Sequence, residues 1–374
     1  MSTMTTRAAV LHQPGTPWEI TELDLDEPKP YEVLINYKAA GLCHSDEHIR
    51  EEGGSHIRFP LVGGHEGAGI VEAVGEGVTR VAPGDHVVTS YIPACGRCRY
   101  CSTGHQNLCD RGLWAGRGCL QDETFRFHRG GEDFGGFCAL GTWSTHTVVS
   151  EFSCLKIDDD IPFEVAALVG CGVTTGWCSA VRAGETRAGE TVVILGIGGV
   201  GINAVQGARY AGAKHVIAID PNPFKRETAS ELGATHTFAS ADEARQPLID
   251  MTRGQLADLA VVTVGVLEAE ITEDAVSLVG KVGRVVLTSV SRADQKTISL
   301  TGSPLVGFHK RIQGSLAGGA NPIYEMPNLL GLYKAGQLKL DEIITNRYSL
   351  DEVNEGYADL LAGKNIRGVL VHDG

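Results

Sequence analysis

Residues 190–220, ETVVILGIGGVGINAVQGARYAGAKHVIAID, read as an apolar strand, a glycine turn, a helix with small residues along one face, and a second apolar strand. Gly196-x-Gly198-x-x-Gly201 closes the first strand and opens the helix, the context that dinucleotide binding demands of this pattern. The first glycine permits a tight turn, the second lets backbone approach a pyrophosphate, and the third lets helix and strand pack closely. Gly199 and Val200 complete the turn, and the first amides of the helix receive the phosphates. Asp220 ends the second strand, 19 residues after Gly201, where a carboxylate accepts hydrogen bonds from the adenosine ribose and repels a 2′-phosphate. The expected cofactor is therefore NAD rather than NADP; with no aspartate at that distance the glycines would read only as a turn.

Working outward, strand and helix alternate from about Thr175 onward, with DLAVVTVG, GRVVLTSV and RIQGSL as further strands and EAEITEDAVSLV as an intervening helix. This predicts an α/β fold with a doubly wound parallel sheet of the Rossmann type. From Arg7 to about Ser150 the texture differs: short apolar or β-branched runs such as EVLINYKAAGL and GDHVVTSYI alternate with glycine and proline turns, as in an irregular β-rich domain. After about Ala317 come two helical patterns and a last strand, RGVLVH.

The 374 residues suffice for two domains, each able to bury its own core. A formal charge of −14 argues against nucleic acid or an anionic membrane as a partner. The N-terminus lacks the layout of a signal peptide, and no run approaches the roughly 20 apolar residues of a spanning helix. A cytoplasmic protein with reduced thiols is expected.

That expectation bears on PACGRCRYCSTGHQNLC, residues 93–109, which holds four of the ten cysteines. Cys95-x2-Cys98-x2-Cys101-x7-Cys109 offers four thiolates from one loop, suited to the closed tetrahedral coordination of structural zinc. An iron–sulfur cluster is the competing reading, but the last gap is too long for the usual bacterial spacing. Four thiolates leave no open position, so zinc chemistry must lie elsewhere. GLCHSDEH, GGHEGAG and LVGCGVTTG supply Cys43, His65 and Cys171, two thiolates and an imidazole that leave a fourth position free, the pattern of a catalytic zinc. Any one of them alone would read as a core residue.

Together GLCHSD, GGHEGAGIVEAVGEGV, the four-cysteine lobe, GCGVTTG, GIGGVG and GKNIRGVLV resemble the zinc-dependent medium-chain dehydrogenases, the alcohol dehydrogenase superfamily, over essentially the whole chain. Within it the chain most resembles the actinobacterial nicotinoprotein branch, which keeps NAD(H) bound between turnovers and is assayed with an artificial nitroso-amine acceptor, NDMA. The resemblance implies a GroES-like catalytic domain over 1–174, with the structural-zinc lobe at about 93–112, a Rossmann domain over 175–316, and a return to the catalytic domain over 317–374.

It further implies two zinc ions per chain. Cys43, His65 and Cys171 match the catalytic ligands, Glu66 a residue behind the metal, and Asp46 the partner that orients His65. Ser45 and His48 match a proton relay; His44, Lys225 and Arg367 match cofactor contacts, although His44 stands where many relatives carry arginine. Tyr91, Trp114 and Trp143 match substrate-pocket positions. The implied reaction takes an alcohol to an aldehyde or ketone, reversibly: zinc lowers the pKa of the alcohol, and its hydride passes to the nicotinamide. A homo-oligomer and an external redox acceptor are also implied. An exchanging NAD-dependent enzyme, a thiol-dependent formaldehyde dehydrogenase and a non-catalytic nucleotide-binding member are the alternatives.

Overall fold

Thr191–Leu195 (β1) is buried at every position, as a central parallel strand covered on both faces must be. In the computed structural model, which describes residues 3–54, 56–292 and 294–372, this strand belongs to a unit formed by Gly172–Ala320 and Gln337–Lys339. It lies beside His215–Ile219 (β2), His236–Phe238 (β3), Ala257–Val262 (β4), Val279–Leu287 (β5) and Arg311–Gly314 (β6), all paired in parallel. The strand order β3-β2-β1-β4-β5-β6 is that of the doubly wound dinucleotide-binding sheet, and the order of winding across the sheet reverses between β1 and β4. The glycine turn leaves the carboxyl end of β1 at that switch point.

Each glycine of the turn meets a different constraint. Gly196 has φ +88, and a Cβ there would lie 2.7 Å from the Val264 amide nitrogen. A Cβ on Gly201 would fall 1.9 Å from the Gly196 carbonyl oxygen, so helix Gly201–Tyr210 packs against the turn only without a side chain. A Cβ on Gly198 would meet nothing within 4 Å, which leaves the open cradle a pyrophosphate needs. Val193, Leu195, Ile217, Ala260, Val262 and Val285 form the core of this sheet.

The other unit comprises the described residues up to Cys171, Asn321–Gly336 and those from Leu340 onward. Strands Thr3–Leu11, Glu19–Asp26, Phe127–Arg129, Glu132–Gly136 and Leu61–Val62 close into a barrel. A second, seven-stranded sheet centres on Glu32–Gly41, which pairs antiparallel with Gly67–Val74 along one edge. Along the other edge it pairs with His146–Ser150 near its start and with Arg367–Val371 near its end. Arg367–Val371 is the strand read as RGVLVH, so the end of the chain returns to the sheet built by its beginning. Among the described residues no single helix is long and apolar enough to cross a membrane.

Gly201→Ala should overpack the turn and cost about 1–3 kcal/mol, lowering the thermal unfolding midpoint. Gly198→Ala should leave the midpoint of cofactor-free protein unchanged yet weaken NAD binding measured by titration. Equal effects on stability from both changes would contradict this division.

Candidate active site

The strand register assembles the site. Ala40 pairs with Gly67, and the Gly41 amide donates to the Glu66 carbonyl at 3.0 Å. GLCHSDEH, which continues from the strand Glu32–Gly41, therefore meets GGHEGAG, which runs into the strand Gly67–Val74. The glycines make this approach sterically feasible: a Cβ on Gly63 or Gly64 would strike the Trp143 ring at 2.3 or 2.4 Å, and one on Gly41 would sit 1.9 Å from Glu66 Oε2. Gly170, after helix Phe163–Val169, comes close enough that its Cβ would lie 3.6 Å from Glu66 Cα, which delivers Cys171. As a result one ligand atom from each of Cys43, His65, Glu66 and Cys171 lies within 4.8 Å of every other.

Asp46 is wholly buried on helix His44–Glu52; its Oδ1 accepts from the Gly64 amide at 3.0 Å and its Oδ2 lies 3.0 Å from His65 Nδ1. Nδ1 faces the Asp46 carboxylate, which leaves Nε2 as the imidazole atom for the thiols; by strict hydrogen-bond geometry neither buried ring nitrogen has a partner among the described residues. A hydrogen bond from Cys171 holds the Cys43 thiol well below its ordinary pKa against the effect of burial. Burial opposes protonation of His65, yet Asp46 and Cys43 outweigh it and hold the imidazole well above its ordinary value. Burial pushes Glu66 up to about 7 despite the ion pair it makes with Arg367. Soft donors, an orphaned imidazole nitrogen and an excess of acidic groups fit a divalent cation such as zinc.

The Cys95, Cys98, Cys101 and Cys109 sulfurs likewise lie within 4.8 Å of one another, with Cys98 and Cys109 4.0 Å apart. Zinc–sulfur bonds of about 2.3 Å around one tetrahedral ion produce separations of this size, whereas a multi-iron cluster would spread the thiolates farther. Amides of Cys98, Cys101 and Cys95 donate to Cys95, Cys98 and Cys109 at 3.4, 3.4 and 3.5 Å. Such bonds favour the thiolate form: against burial, the amides of Arg97 and Cys98 draw Cys95 down to about 6.

The remaining expected residues fall in several places. Ser45 Oγ accepts from Cys43 Sγ at 3.7 Å, and the His44 and His48 rings lie 6.4 Å apart along the same helix. Tyr91 packs edge-on to His65 at 5.7 Å. Trp114 lines a small pocket with Pro93, Arg111, Cys119 and Cys138. Trp143, expected in the substrate pocket, is instead 0% exposed and packs edge-on to Trp18 at 4.7 Å, because the tight Gly63–Gly64 turn lies directly on its ring. Arg367 is buried against Glu66, and its Nη2 donates to the Leu42 carbonyl at 3.2 Å. In the second unit, Asp220 accepts from the Ile197 amide within the glycine turn and from the Asn222 amide, both at 2.8 Å, while Lys225 is half-buried on helix Pro223–Glu231.

Sequence reasoning missed Phe137, whose ring packs edge-on to His65 at 5.2 Å. The double glycine before it, in DFGGFCALGT, was the available signal. Cys138 and Ala139 follow with φ of 56 and 54, a left-handed pair of non-glycine residues that no local pattern announces.

The chain is similar to known proteins over essentially its whole length. Residues 29–159 match the alcohol dehydrogenase GroES-like domain, and residues 199–335 match the zinc-binding dehydrogenase family. The chain is 57% identical to the NDMA-dependent alcohol dehydrogenase of Amycolatopsis methanolica, over 99% of each chain. Among solved structures, the alcohol dehydrogenase zinc-binding domain protein from Burkholderia ambifaria matches with a TM-score of 0.93 and 30% identity, each chain fully covered. Benzyl alcohol dehydrogenase from Acinetobacter calcoaceticus matches at 0.91 and 28%, over 99% of this chain and 100% of that one.

Asp46→Asn keeps an oxygen for the Gly64 amide but removes the charge facing His65. Metal retention at the Cys43 set during dialysis against a chelator should fall about 10–100-fold, with unchanged far-UV circular dichroism. Unaltered retention would show that Asp46 does not tune this imidazole.

Proposed function

The chain belongs to the zinc-dependent alcohol dehydrogenases, and on that premise we propose that it interconverts small apolar primary alcohols and their aldehydes using NAD(H) that stays bound between turnovers. The observation that carries the bound-cofactor reading is the 57% identity, over 99% of both chains, with a relative named for its dependence on NDMA. An acceptor of that kind is needed where reduced cofactor does not leave. Benzyl alcohol dehydrogenase among the structural relatives, and the Tyr91 and Phe137 rings beside His65, support an aromatic-walled pocket for apolar alcohols. Trp114 lines a neighbouring small pocket with Cys138, the residue after Phe137, and would extend this wall, while Trp143 lies in the core.

In this reading Cys43, His65 and Cys171 hold a catalytic zinc with Glu66 behind it, and Cys95, Cys98, Cys101 and Cys109 hold a structural one. Zinc supplies the Lewis acidity that lowers the pKa of an alcohol hydroxyl, and NAD supplies the hydride acceptor. Asp46 fixes the His65 tautomer by accepting the Nδ1 proton, which leaves Nε2 as the donor atom. Ser45 Oγ, beside Cys43, would accept the alcohol proton while giving up its own to a relay that runs by way of the nicotinamide ribose when the cofactor is bound, with His48, three residues along the same helix, at its outer end toward solvent. Arg367 neutralises Glu66 and prevents a second full negative charge behind the thiolates. Gly196, Gly198, Gly199, Val200 and Gly201 would receive the pyrophosphate and Asp220 and Lys225 the adenosine ribose, with His44 and Arg367 as further cofactor contacts. Asp220 is already ordered by the Ile197 and Asn222 amides, so its carboxylate is preorganised for hydroxyl donors. A homo-oligomer in the cytosol, reoxidised by an external redox acceptor, completes the reading.

Protein purified without added cofactor, desalted and then denatured should release about one NAD(H) per chain, measured by absorbance and enzymatic cycling. Release of none would refute the bound-cofactor reading, and a requirement for a low-molecular-weight thiol would indicate formaldehyde chemistry instead. Cys43→Ala should abolish turnover in a folded protein that still binds NAD, whereas Cys101→Ala should lower folding yield and thermal stability, because structural zinc binding is part of the folding free energy. Lost activity in Cys101→Ala with stability and metal content intact would contradict that division.

A further inference from the structure

Three consecutive backbone carbonyls at the end of strand Glu32–Gly41 are each held by a side chain from a distant part of the sequence. Trp143 Nε1 donates to the Gly41 carbonyl at 3.4 Å, Arg367 Nη2 to the Leu42 carbonyl at 3.2 Å, and Tyr357 Oη to the Cys43 carbonyl at 3.0 Å. Peptide groups are planar, so the Leu42 and Cys43 carbonyls fix the two planes that flank the Cys43 Cα. With both planes held, the direction of the Cys43 Cα–Cβ bond is set and only χ1 remains to place its sulfur.

The Cys43 carbonyl has a second duty. It accepts the Asp46 amide at 3.2 Å and thus starts helix His44–Glu52, which carries Ser45, Asp46 and His48. One oxygen therefore anchors a thiolate, the proposed proton relay and the carboxylate that faces His65. Tyr357, on helix Val353–Leu361, is buried, and its ring packs 5.4 Å from that of Trp143. Its hydroxyl is thus delivered from a buried aromatic cluster in the core that also contains Trp18, Leu42 and Tyr348.

We propose that Tyr357 is a positioning residue: its hydroxyl, working with Arg367 and Trp143, clamps the Cys43 segment so that the thiolate and the start of its helix stay in place for the metal. This rests on the reading of Cys43, His65 and Cys171 as the catalytic zinc set. It gives the C-terminal segment a direct part in metal retention, and it assigns Trp143 a role in backbone support rather than in substrate contact.

Tyr357→Phe removes the hydroxyl and keeps the ring. Tyr348→Phe is the control, since Tyr348 is buried in the same core and its hydroxyl bonds Asp359, Asn346 and Asn365 but not the Cys43 segment. Zinc-loaded full-length protein is mixed with a chromophoric chelator, and the release of each metal equivalent is timed; cobalt-substituted protein reports the thiolate–cobalt absorption band. In Tyr357→Phe one equivalent should leave about ten-fold faster, the other should be unchanged, and the cobalt band should shift. Tyr348→Phe should match the wild type in all three. Unchanged release and spectrum in Tyr357→Phe, equal acceleration of both equivalents, or the same effect from Tyr348→Phe would overturn the inference while leaving the zinc assignment standing. A wild-type protein holding a single metal equivalent would instead overturn the zinc assignment, and the inference with it.

Discussion

The antiparallel pairing of Glu32–Gly41 with Gly67–Val74 is the constraint on which the site depends. It aligns the end of one strand with the start of another, so that Cys43, two residues beyond the first, meets His65 and Glu66 just before the second. A slip of one residue would turn every side chain to the opposite face and separate the donors. The register is held by the buried faces of Val33, Ile35 and Tyr37 and by glycines at each close approach, so the same packing that stabilises the sheet sets the ligand geometry.

That geometry concentrates acidic groups in a dry place. Asp46 and Glu66 are 0% exposed, beside two thiols, with Arg367 and His65 as the compensating groups. Burying such charges is costly unless they are paired; Arg367 and His65 offset the two carboxylates, and a divalent cation at the centre of the four donors would let both thiols ionise as well. The cysteine lobe solves the same problem locally, with backbone amides aimed at its sulfurs. One set offers four cysteine sulfurs; the other is asymmetric and includes a carboxylate whose proton affinity burial has shifted toward neutrality.

What could be read in the sequence was what is local or fixed by backbone chemistry. The glycine turn is legible because Gly196 needs its positive φ and Gly201 its missing Cβ. The cysteine lobe is legible because its donors lie within one loop. Cys43, His65 and Cys171 could be recognised as donor types, but what brings them together is strand register, which spacing does not encode. Tyr357 lies 314 residues from Cys43, and nothing in DEVNEGYADLL distinguishes it from an ordinary core aromatic. Trp143 shows the converse: the family resemblance implied a pocket wall, but the Gly63–Gly64 turn packs upon its ring and leaves it wholly buried. Phe137 reaches His65 through a left-handed turn at Cys138 and Ala139, which side-chain identity gives no reason to expect.

The division between a closed four-thiolate site and an open mixed site is tested most directly by zinc-edge X-ray absorption on the purified full-length chain, combined with metal analysis. Two zinc ions sharing six thiolates, four in one set and two in the other, should give an average of three sulfur neighbours per ion together with a nitrogen or oxygen shell from the imidazole set. One zinc per chain with four sulfur neighbours and no lighter shell would contradict the account.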